Sequence, residues 1–229
     1  MSQRRINLNA DLGESFGAWT MGRDEEMLQL VDSANVACGF HAGDPLVMRQ
    51  TVATAKRQGV SVGAHPSFPD LQGFGRRRID MAPTEVEAMV VYQIGALQGI
   101  AAAEGHRVTH VKPHGALNNL ACENLDLARC IARAVRAAGV ELLLAPALSA
   151  LVAAGHEAGL QVVEEIFADR QYTDDGNLVP RSQPQAMVHG AEASVAPALG
   201  REHYRTRRRA GVRPRQASAL RGRQHLRAW

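Results

Sequence analysis

Short apolar segments alternate with longer segments of helical periodicity along most of the chain, and this alternation restricts the fold more than any other feature of the sequence. Six short segments predict strands, at residues 6–11, 34–40, 60–64, 108–112, 140–145 and 160–167. Five longer segments predict helices, at residues 24–33, 45–58, 84–104, 122–138 and 147–158. Strands that alternate with helices are typical of parallel βαβ units. The sequence therefore predicts an α/β protein built on a parallel sheet.

Two architectures fit this pattern, an open doubly wound sheet and a closed barrel. The sequence contains neither a Gly-x-Gly-x-x-Gly loop nor a Gly-x-x-x-x-Gly-Lys-Ser/Thr phosphate loop, and Lys56 and Lys112 are its only lysines. Polar residues instead follow several strands, as they do in barrel enzymes. We therefore predict an irregular (β/α) barrel over residues 1–190. We expect it to be incomplete at its C-terminal end, because six strands are too few to close a barrel.

Composition narrows the class of protein further. Hydrophobic residues make up 45% of the chain, which suits a globular domain with a sizeable core. No run of about 18 apolar residues occurs, so we expect no membrane span. The polar start of the chain predicts no secretory signal. Three cysteines without a Cys-x-x-Cys pair argue against a disulfide scaffold, and a reducing cytoplasm is the expected compartment.

Side chains capable of catalysis or metal binding collect where the predicted strands end. Six of them are candidate catalytic residues: Asp11, Glu14, His41, His65, Lys112 and His114. Because the carboxyl ends of the strands meet at one mouth of a barrel, we expect these side chains to line one pocket. Carboxylates, imidazoles and an ammonium group can together transfer protons, polarise a carbonyl group or hold a divalent metal.

Each of these residues also has an ordinary explanation. A single histidine at a strand end is more often a hydrogen-bonded structural residue, and Asp11 or Glu14 could cap a turn or lie in solvent. Asp44 precedes Pro45, a pair typical of a helix N-terminus. Side chains capable of catalysis or metal binding nevertheless occur at the ends of four separate strands, which favours a functional site. Cys38, within a predicted buried strand, is interpreted as a packing residue.

Residues 66–78 form a long connection between a predicted strand and the helix that follows. The segment contains glycines and the run Arg76-Arg77-Arg78. Glycine hinges next to arginines predict a lid over an anionic ligand. An arginine run that meets only solvent is the alternative.

Six short motifs, taken in order, resemble those of the LamB/YcsF family. They are NADLGESFG at residues 9–17, ACGFHAGDP at 37–45, GAHP at 63–66, GFGR at 73–76, VKPHGAL at 111–117 and FADR at 167–170. The resemblance extends over about residues 5–190. It implies an irregular barrel similar to that of glycoside hydrolases and sugar deacetylases. It also implies a cytoplasmic subunit that, with two partner subunits, B and C, converts 5-oxo-L-proline to L-glutamate while ATP is hydrolysed to ADP and phosphate.

The resemblance implies roles for the candidate residues as well. Asp11 or Glu14 would activate water, and the three histidines would position that water or bind a metal. Lys112 and Arg170 would hold the substrate carboxylate or a developing phosphate charge. The candidate substrate-binding residues are Asn9, Asp44, Arg76 and Arg170. ATP would bind with Mg²⁺ as its counterion. Because the chain has no phosphate loop, the nucleotide site would be shared with the partner subunits or supplied by them.

Two other functions stay open on the sequence. The first is a stand-alone metal-dependent amide or N-acetyl hydrolase on a similar barrel, with Asp11, His41 and His65 as ligands of a divalent metal. The second is a nucleic-acid-binding protein whose basic C-terminal segment contacts phosphates. The second is the weaker alternative, because Tyr204 and Trp229 are the only aromatic residues of that segment.

Charge is divided unevenly along the chain. Residues 1–200 carry 16 basic and 22 acidic side chains, whereas residues 201–229 carry ten arginines and one glutamate. LamB/YcsF sequences continue in this region to a Val-His-Gly-Asp run, which does not occur in this chain. Arginine without lysine is typical of GC-rich DNA read out of frame. We therefore interpret residues 191–229 as an atypical Arg-rich tail that is disordered or results from a frameshift near residues 190–200.

Overall fold

The structure, a computed structural model, describes residues 7–173, 178–179, 183–189 and 227–228. Six parallel strands lie side by side in the order of the chain: β1 Asn9–Leu12, β2 Ser33–Ala37, β3 Ser61–His65, β4 Val108–Val111, β5 Leu142–Pro146 and β6 Gln161–Ile166. The sheet curls with helices between its strands. This incomplete (β/α) barrel confirms the predicted fold class.

A seventh strand of two residues, β7 Arg227–Ala228, pairs in parallel with β6. The rest of the Arg-rich tail predicted at residues 191–229 lies outside the described residues. The frameshift or disorder expected for this tail therefore stays a prediction.

One helix follows each of β1, β2, β3 and β5, and two follow β4. Six are described: α1 Asp24–Met27, α2 Pro45–Gln58, α3 Pro83–Ala103, α4 Gly115–Glu123, α5 Leu125–Ala137 and α6 Ala150–Glu157. A 3₁₀ turn, Pro184–Ala186, comes later in the chain. Helix α2 begins at the predicted residue, because the Asp44 side chain accepts hydrogen bonds from the N–H groups of Leu46 and Val47 and Pro45 is the first helical residue.

Two predicted helices have the wrong bounds. The helix predicted at 122–138 is α5 and begins at Leu125, whereas α4, which ends just before it at Glu123, was not predicted. Asn124 separates them, because its side-chain oxygen accepts hydrogen bonds from the N–H groups of Asp126 and Leu127 and so starts a new helix. The helix predicted at 24–33 is only the single turn α1, since the chain enters β2 at the end of that range.

The core lies between the sheet and its helices. Strand β2 is buried along its whole length, as expected for a central parallel strand. Among the described helices, α3 has the length and apolar composition to cross a membrane. It packs against α2, α5 and the sheet and buries Val90, Ile94 and Leu97, so it serves as a core helix of the barrel.

Strand register sets polar residues side by side near the carboxyl ends of the strands. Asp11 in β1 is the partner of Asn35 in β2. A shift in register between β3 and β4 places Gly63 beside His110. A Cβ atom at position 63 would overlap the His110 ring, so only glycine fits there. The absence of a side chain at Gly63 on β3 therefore makes room for the buried His110 ring on the inner surface of the barrel.

Candidate active site

All six candidate catalytic residues come together at the carboxyl ends of the strands. Asp11 lies in β1, His65 ends β3 and Lys112 follows β4. The other three come from the loops after β1, β2 and β4. The six divide into two groups that touch each other. We call Asp11, Lys112 and the additional residue Glu165 the lysine network, and we call Glu14, His41, His65 and His114 the histidine cluster.

Lys112 lies between the two carboxylates of the lysine network. Its Nζ atom is 3.1 Å from Oδ1 of Asp11 and 3.2 Å from Oε2 of Glu165. The side chains of Lys112 and Glu165 are 3% and 0% exposed, whereas that of Asp11 is 33% exposed. Burial disfavours the ammonium form, but the two carboxylates outweigh burial and raise the pKa of Lys112. Lys112 is therefore a fixed positive charge at neutral pH.

Asp11 is the member of the network that solvent reaches. Burial acts to raise its pKa, but His65 and Lys112 outweigh burial and hold the pKa of Asp11 well below its usual value. Its Oδ2 atom is 3.3 Å from Nε2 of His65. The Asn35 side-chain amide donates a hydrogen bond of 2.9 Å to Oδ1. Asp11 is therefore an ionised carboxylate held in one orientation.

Buried asparagine amides lie beneath the charged groups of the lysine network. The Asn35 amide also donates to Oδ1 of Asn9 at 2.6 Å, and the Asn9 amide donates to Oε2 of Glu165 at 3.4 Å. Nε2 of His110 lies 3.0 Å from Oδ1 of Asn35. Asn9, a predicted substrate-binding residue, is fully buried. The structure thus places Asn9 in the support of the lysine network, and its contact with substrate stays a prediction.

The histidine cluster joins the network through His65. Nδ1 of His114 is 2.9 Å from Nε2 of His65 and 3.6 Å from Oε1 of Glu14. Nε2 of His41 is 3.2 Å from the same Glu14 oxygen. The rings of His41 and His114 stack with centroids 3.8 Å apart. One donor atom from each of the four residues lies within 4.8 Å of all the others. Asp11 does not belong to this group of four.

Burial controls protonation inside the cluster. It raises the pKa of Glu14. It lowers the pKa of His41 well below the usual value, and the charge of His65 acts in the same direction. It also lowers the pKa of His114 to about 3, with His65 and His41 contributing. The imidazoles of His41 and His114 are therefore uncharged at neutral pH.

The loop over residues 66–78 packs against the histidine cluster. The Phe74 carbonyl oxygen lies 2.9 Å from Nε2 of His114. The Asp70 side chain accepts hydrogen bonds from the N–H groups of Gly73 and Arg77 and pairs with the Arg77 guanidinium group. The Arg76 guanidinium lies 5.3 Å from the Phe74 ring centroid. The loop is thus a built cover over one side of the cluster, and its predicted binding of an anion stays a prediction.

Two predicted substrate-binding residues lie outside both groups. Asp44 caps α2 and accepts a further hydrogen bond of 2.7 Å from the N–H group of Gly17. The Arg170 guanidinium donates to the carbonyl groups of Val179 and Ala186. The described contacts give both side chains a structural role, and their predicted roles in substrate binding are not tested by them.

Three further residues of the site received no role from the sequence: Asn35, His110 and Glu165. Asn35 occupies a position in β2 equivalent to that of Asp11 in β1. The period-two pattern of polar residues in otherwise buried strands is the signal that could have found all three. Cys38 is buried and its pKa is raised to about 12 by burial, which agrees with its interpretation as a packing residue.

An incomplete parallel (β/α) barrel with an ionised carboxylate, a lysine and neutral histidines at the carboxyl ends of its strands has the arrangement of a barrel enzyme. Comparison with known proteins narrows this class. Residues 6–204 match the model of the LamB/YcsF family. The chain belongs to the LamB/YcsF family.

Relatives with high similarity cover most of the chain. A protein of Azoarcus sp. (strain BH72) that is named as a 5-oxoprolinase subunit is 65% identical over 196 residues, which are 85% of this chain and 77% of the relative. A protein of the same name from Methylococcus capsulatus is 57% identical over 198 residues, 86% of this chain and 76% of the relative. The crystal structure of a lactam utilization protein from Thermus thermophilus matches with a TM-score of 0.81 and 47% identity, over 85% of this chain and 79% of that one.

Proposed function

We propose that the chain is a subunit of an ATP-dependent 5-oxoprolinase and opens the lactam ring of 5-oxo-L-proline to give L-glutamate. The observation that carries the proposal is Asp11, an ionised and partly exposed carboxylate fixed between Lys112 and His65. The names of the relatives, which refer to 5-oxoprolinase and to lactam utilization, support the same substrate class.

The reaction needs an activated carbonyl group, because a five-membered lactam is a stabilised amide. Transfer of the terminal phosphoryl group of ATP to the carbonyl oxygen releases ADP and leaves an electrophilic carbon. Water adds to this carbon and the ring C–N bond breaks, so that nitrogen keeps the electron pair and takes up a proton. A second water molecule hydrolyses the resulting acyl phosphate to L-glutamate and phosphate.

The residues of the lysine network suit the ring-opening steps. Asp11 accepts a proton from the attacking water and returns it to the ring nitrogen as the C–N bond breaks. Lys112 stabilises negative charge on the oxygen of the reacting carbon. His65, 3.3 Å from Asp11, keeps the carboxylate in place. Arg76, whose guanidinium lies beside Phe74 in the loop against the histidine cluster, and Arg170 are the proposed partners of the substrate carboxylate.

The nucleotide would act at a shared site. The chain contains no Gly-x-x-x-x-Gly-Lys-Ser/Thr loop, so we propose that ATP, with Mg²⁺ as its counterion, binds at a site to which the two partner subunits, B and C, contribute. The word "subunit" in the relatives' names supports an assembly of this kind. The cytoplasmic location expected from the sequence stays a prediction.

The proposal is tested by replacing Asp11 in the complex reconstituted with both partner subunits. Asp11→Asn keeps the shape of the side chain and removes its charge, and it should lower ATP-dependent glutamate formation by about 10²–10⁴-fold. Lys112→Ala should also abolish this activity. Asp80→Asn is the matched control, because the Asp80 side chain is 83% exposed, and it should leave the rate unchanged. Full activity of Asp11→Asn would refute the assignment.

The stand-alone hydrolase is the competing function, because the histidine cluster resembles the donor sets of metal-dependent hydrolases. It predicts amide hydrolysis without ATP or partner subunits. Nucleic-acid binding through residues 201–229 predicts salt-sensitive binding that is lost when this segment is deleted. That segment lies outside the described residues apart from 227–228.

A further inference from the structure

The four donor atoms of the histidine cluster have the spacing of a tetrahedral metal site. Three of the separations between them are 2.9 Å for His65 and His114, 3.6 Å for His114 and Glu14, and 3.2 Å for His41 and Glu14. Zinc bonds of about 2.0–2.1 Å place tetrahedral donors ~3.4 Å apart. All remaining separations are within 4.8 Å. Small movements of the side chains, some apart and some together, would therefore place the four atoms around one cation.

The hydrogen bonds on the far sides of two rings fix which nitrogen atoms face the centre. Nδ1 of His65 lies 2.6 Å from the carbonyl oxygen of Lys112, and Nε2 of His114 lies 2.9 Å from that of Phe74. A carbonyl oxygen only accepts, so both of these ring nitrogens carry the protons. Nε2 of His65 and Nδ1 of His114 then face each other at 2.9 Å, and the uncharged ring of His114 presents a lone pair there. Without a metal, a proton on Nε2 of His65 fills this gap, and a bound cation would take the place of that proton.

The same outer hydrogen bonds are typical of histidines that bind metals. Such histidines almost always donate their second N–H group to a carbonyl or carboxylate oxygen, which orients the ring and raises its basicity. His41 contributes a ring that stacks on His114, and its buried Nδ1 has no hydrogen-bond partner among the described residues. All three rings are buried, so a cation at their centre would be shielded from bulk water.

We propose that Glu14, His41, His65 and His114 form a binding site for one divalent transition metal, with Zn²⁺ as the favoured ion. Three imidazole nitrogens and one carboxylate oxygen form a donor set that suits zinc, and the set contains no thiolate. Asp11 stays outside it, since its oxygens already contact Lys112, Asn35 and His65. The proposed ligands therefore differ from the set Asp11, His41 and His65 suggested by the sequence. This inference does not rest on the proposed 5-oxoprolinase function.

Metal binding by the full 229-residue chain tests the site without substrate, ATP or partners. The protein is stripped with a chelator and titrated with Zn²⁺ or Co²⁺, and bound metal is counted by elemental analysis after gel filtration. We expect one metal per chain. The Co²⁺ form should show the intense visible absorption of a four-coordinate ion. Glu14→Gln and His114→Ala should each lower the affinity by about 10-fold or more and weaken that absorption.

His156→Ala is the matched control, because His156 is an exposed histidine on α6, and it should bind metal like the wild type. Circular dichroism shows which variants are folded. If His114→Ala is not folded, Glu14→Gln, which preserves the shape of the side chain, still tests the site. Loss of metal on gel filtration, equal affinity of folded Glu14→Gln and wild type, or the weak spectrum of a six-coordinate Co²⁺ ion would each overturn the proposal. Failure of the Asp11 experiment would leave these results unaffected.

Discussion

Replacement of Lys112 by methionine should destabilise the fold strongly. The substitution keeps much of the volume of the side chain and removes the positive charge that two carboxylates share. Breaking a buried ion pair by removal of one partner costs about 3–5 kcal/mol, because the remaining charge is left buried without compensation. Glu165 is fully buried, whereas Asp11 is 33% exposed and is partly screened by solvent. We therefore expect a loss of about 3 kcal/mol at neutral pH, at the lower end of this range.

Urea unfolding of Lys112→Met measures this loss. For an m-value of about 2 kcal/mol/M, the midpoint should fall by about 1.5 M. The lowered pKa of Asp11 contributes stability to the wild type above the unfolded carboxyl pKa, and this contribution is lost as pH falls through the folded pKa. The difference between wild type and variant should therefore be largest near neutral pH and shrink in acid. It should shrink at high pH also, once Lys112 itself loses its proton above its raised pKa.

Lys56→Met is the matched control, because Lys56 is the other lysine of the chain and is exposed. It should change stability by no more than about 0.5 kcal/mol. The double variant Lys112→Met with Glu165→Leu should recover part of the loss, because it removes a buried charge together with its partner. A Lys112→Met protein as stable as the wild type, or a loss that does not vary with pH, would refute this reasoning.

Gly63→Ala should cost about 1–3 kcal/mol in urea unfolding, because the added methyl group has no room. Gly95→Ala, within α3 and facing open space, should instead stabilise by about 0.5–1 kcal/mol, and equal effects of the two would contradict the packing. Asp70→Asn should cost about 1–3 kcal/mol at neutral pH. This loss of stability should shrink in acid, because Arg77 lowers the pKa of Asp70 and the wild type loses the stability from this ion pair as pH falls through that pKa. A loss that stays constant with pH would argue against the ion pair. Cys38, buried and with its pKa raised to about 12, should react with a thiol reagent near pH 8 only after unfolding, and rapid labelling of the folded protein would show that it is accessible.

Much of the fold follows from local patterns in the sequence. The six strands and the start of α2 at Asp44 depend on apolar runs and capping residues, which short segments encode by themselves. The gathering of Asp11, His65 and Lys112 follows from a general property of barrels, since parallel strands present their carboxyl ends at one mouth.

The connections within the site depend on register and on distant residues, which local patterns do not encode. Asn9 and Glu165 are in hydrogen-bond contact although 156 residues separate them. The place of Glu14 beside the histidines depends on the path of the loop after β1. The sequence pattern does not predict α4, which ends at Glu123, and the Asn124 side chain starts α5 directly after it. In each case the contact depends on the tertiary fold, which a local sequence pattern does not show.

The most direct test of the account measures glutamate released from 5-oxo-L-proline by the purified chain, with and without ATP, and with and without the two partner subunits. Glutamate should form only when the chain, both partners and ATP are present together, and Asp11→Asn should lower this release by about 10²–10⁴-fold. Glutamate formed by the chain alone, without ATP, would contradict the account and support the stand-alone hydrolase. No release by the complete wild-type mixture would also contradict it.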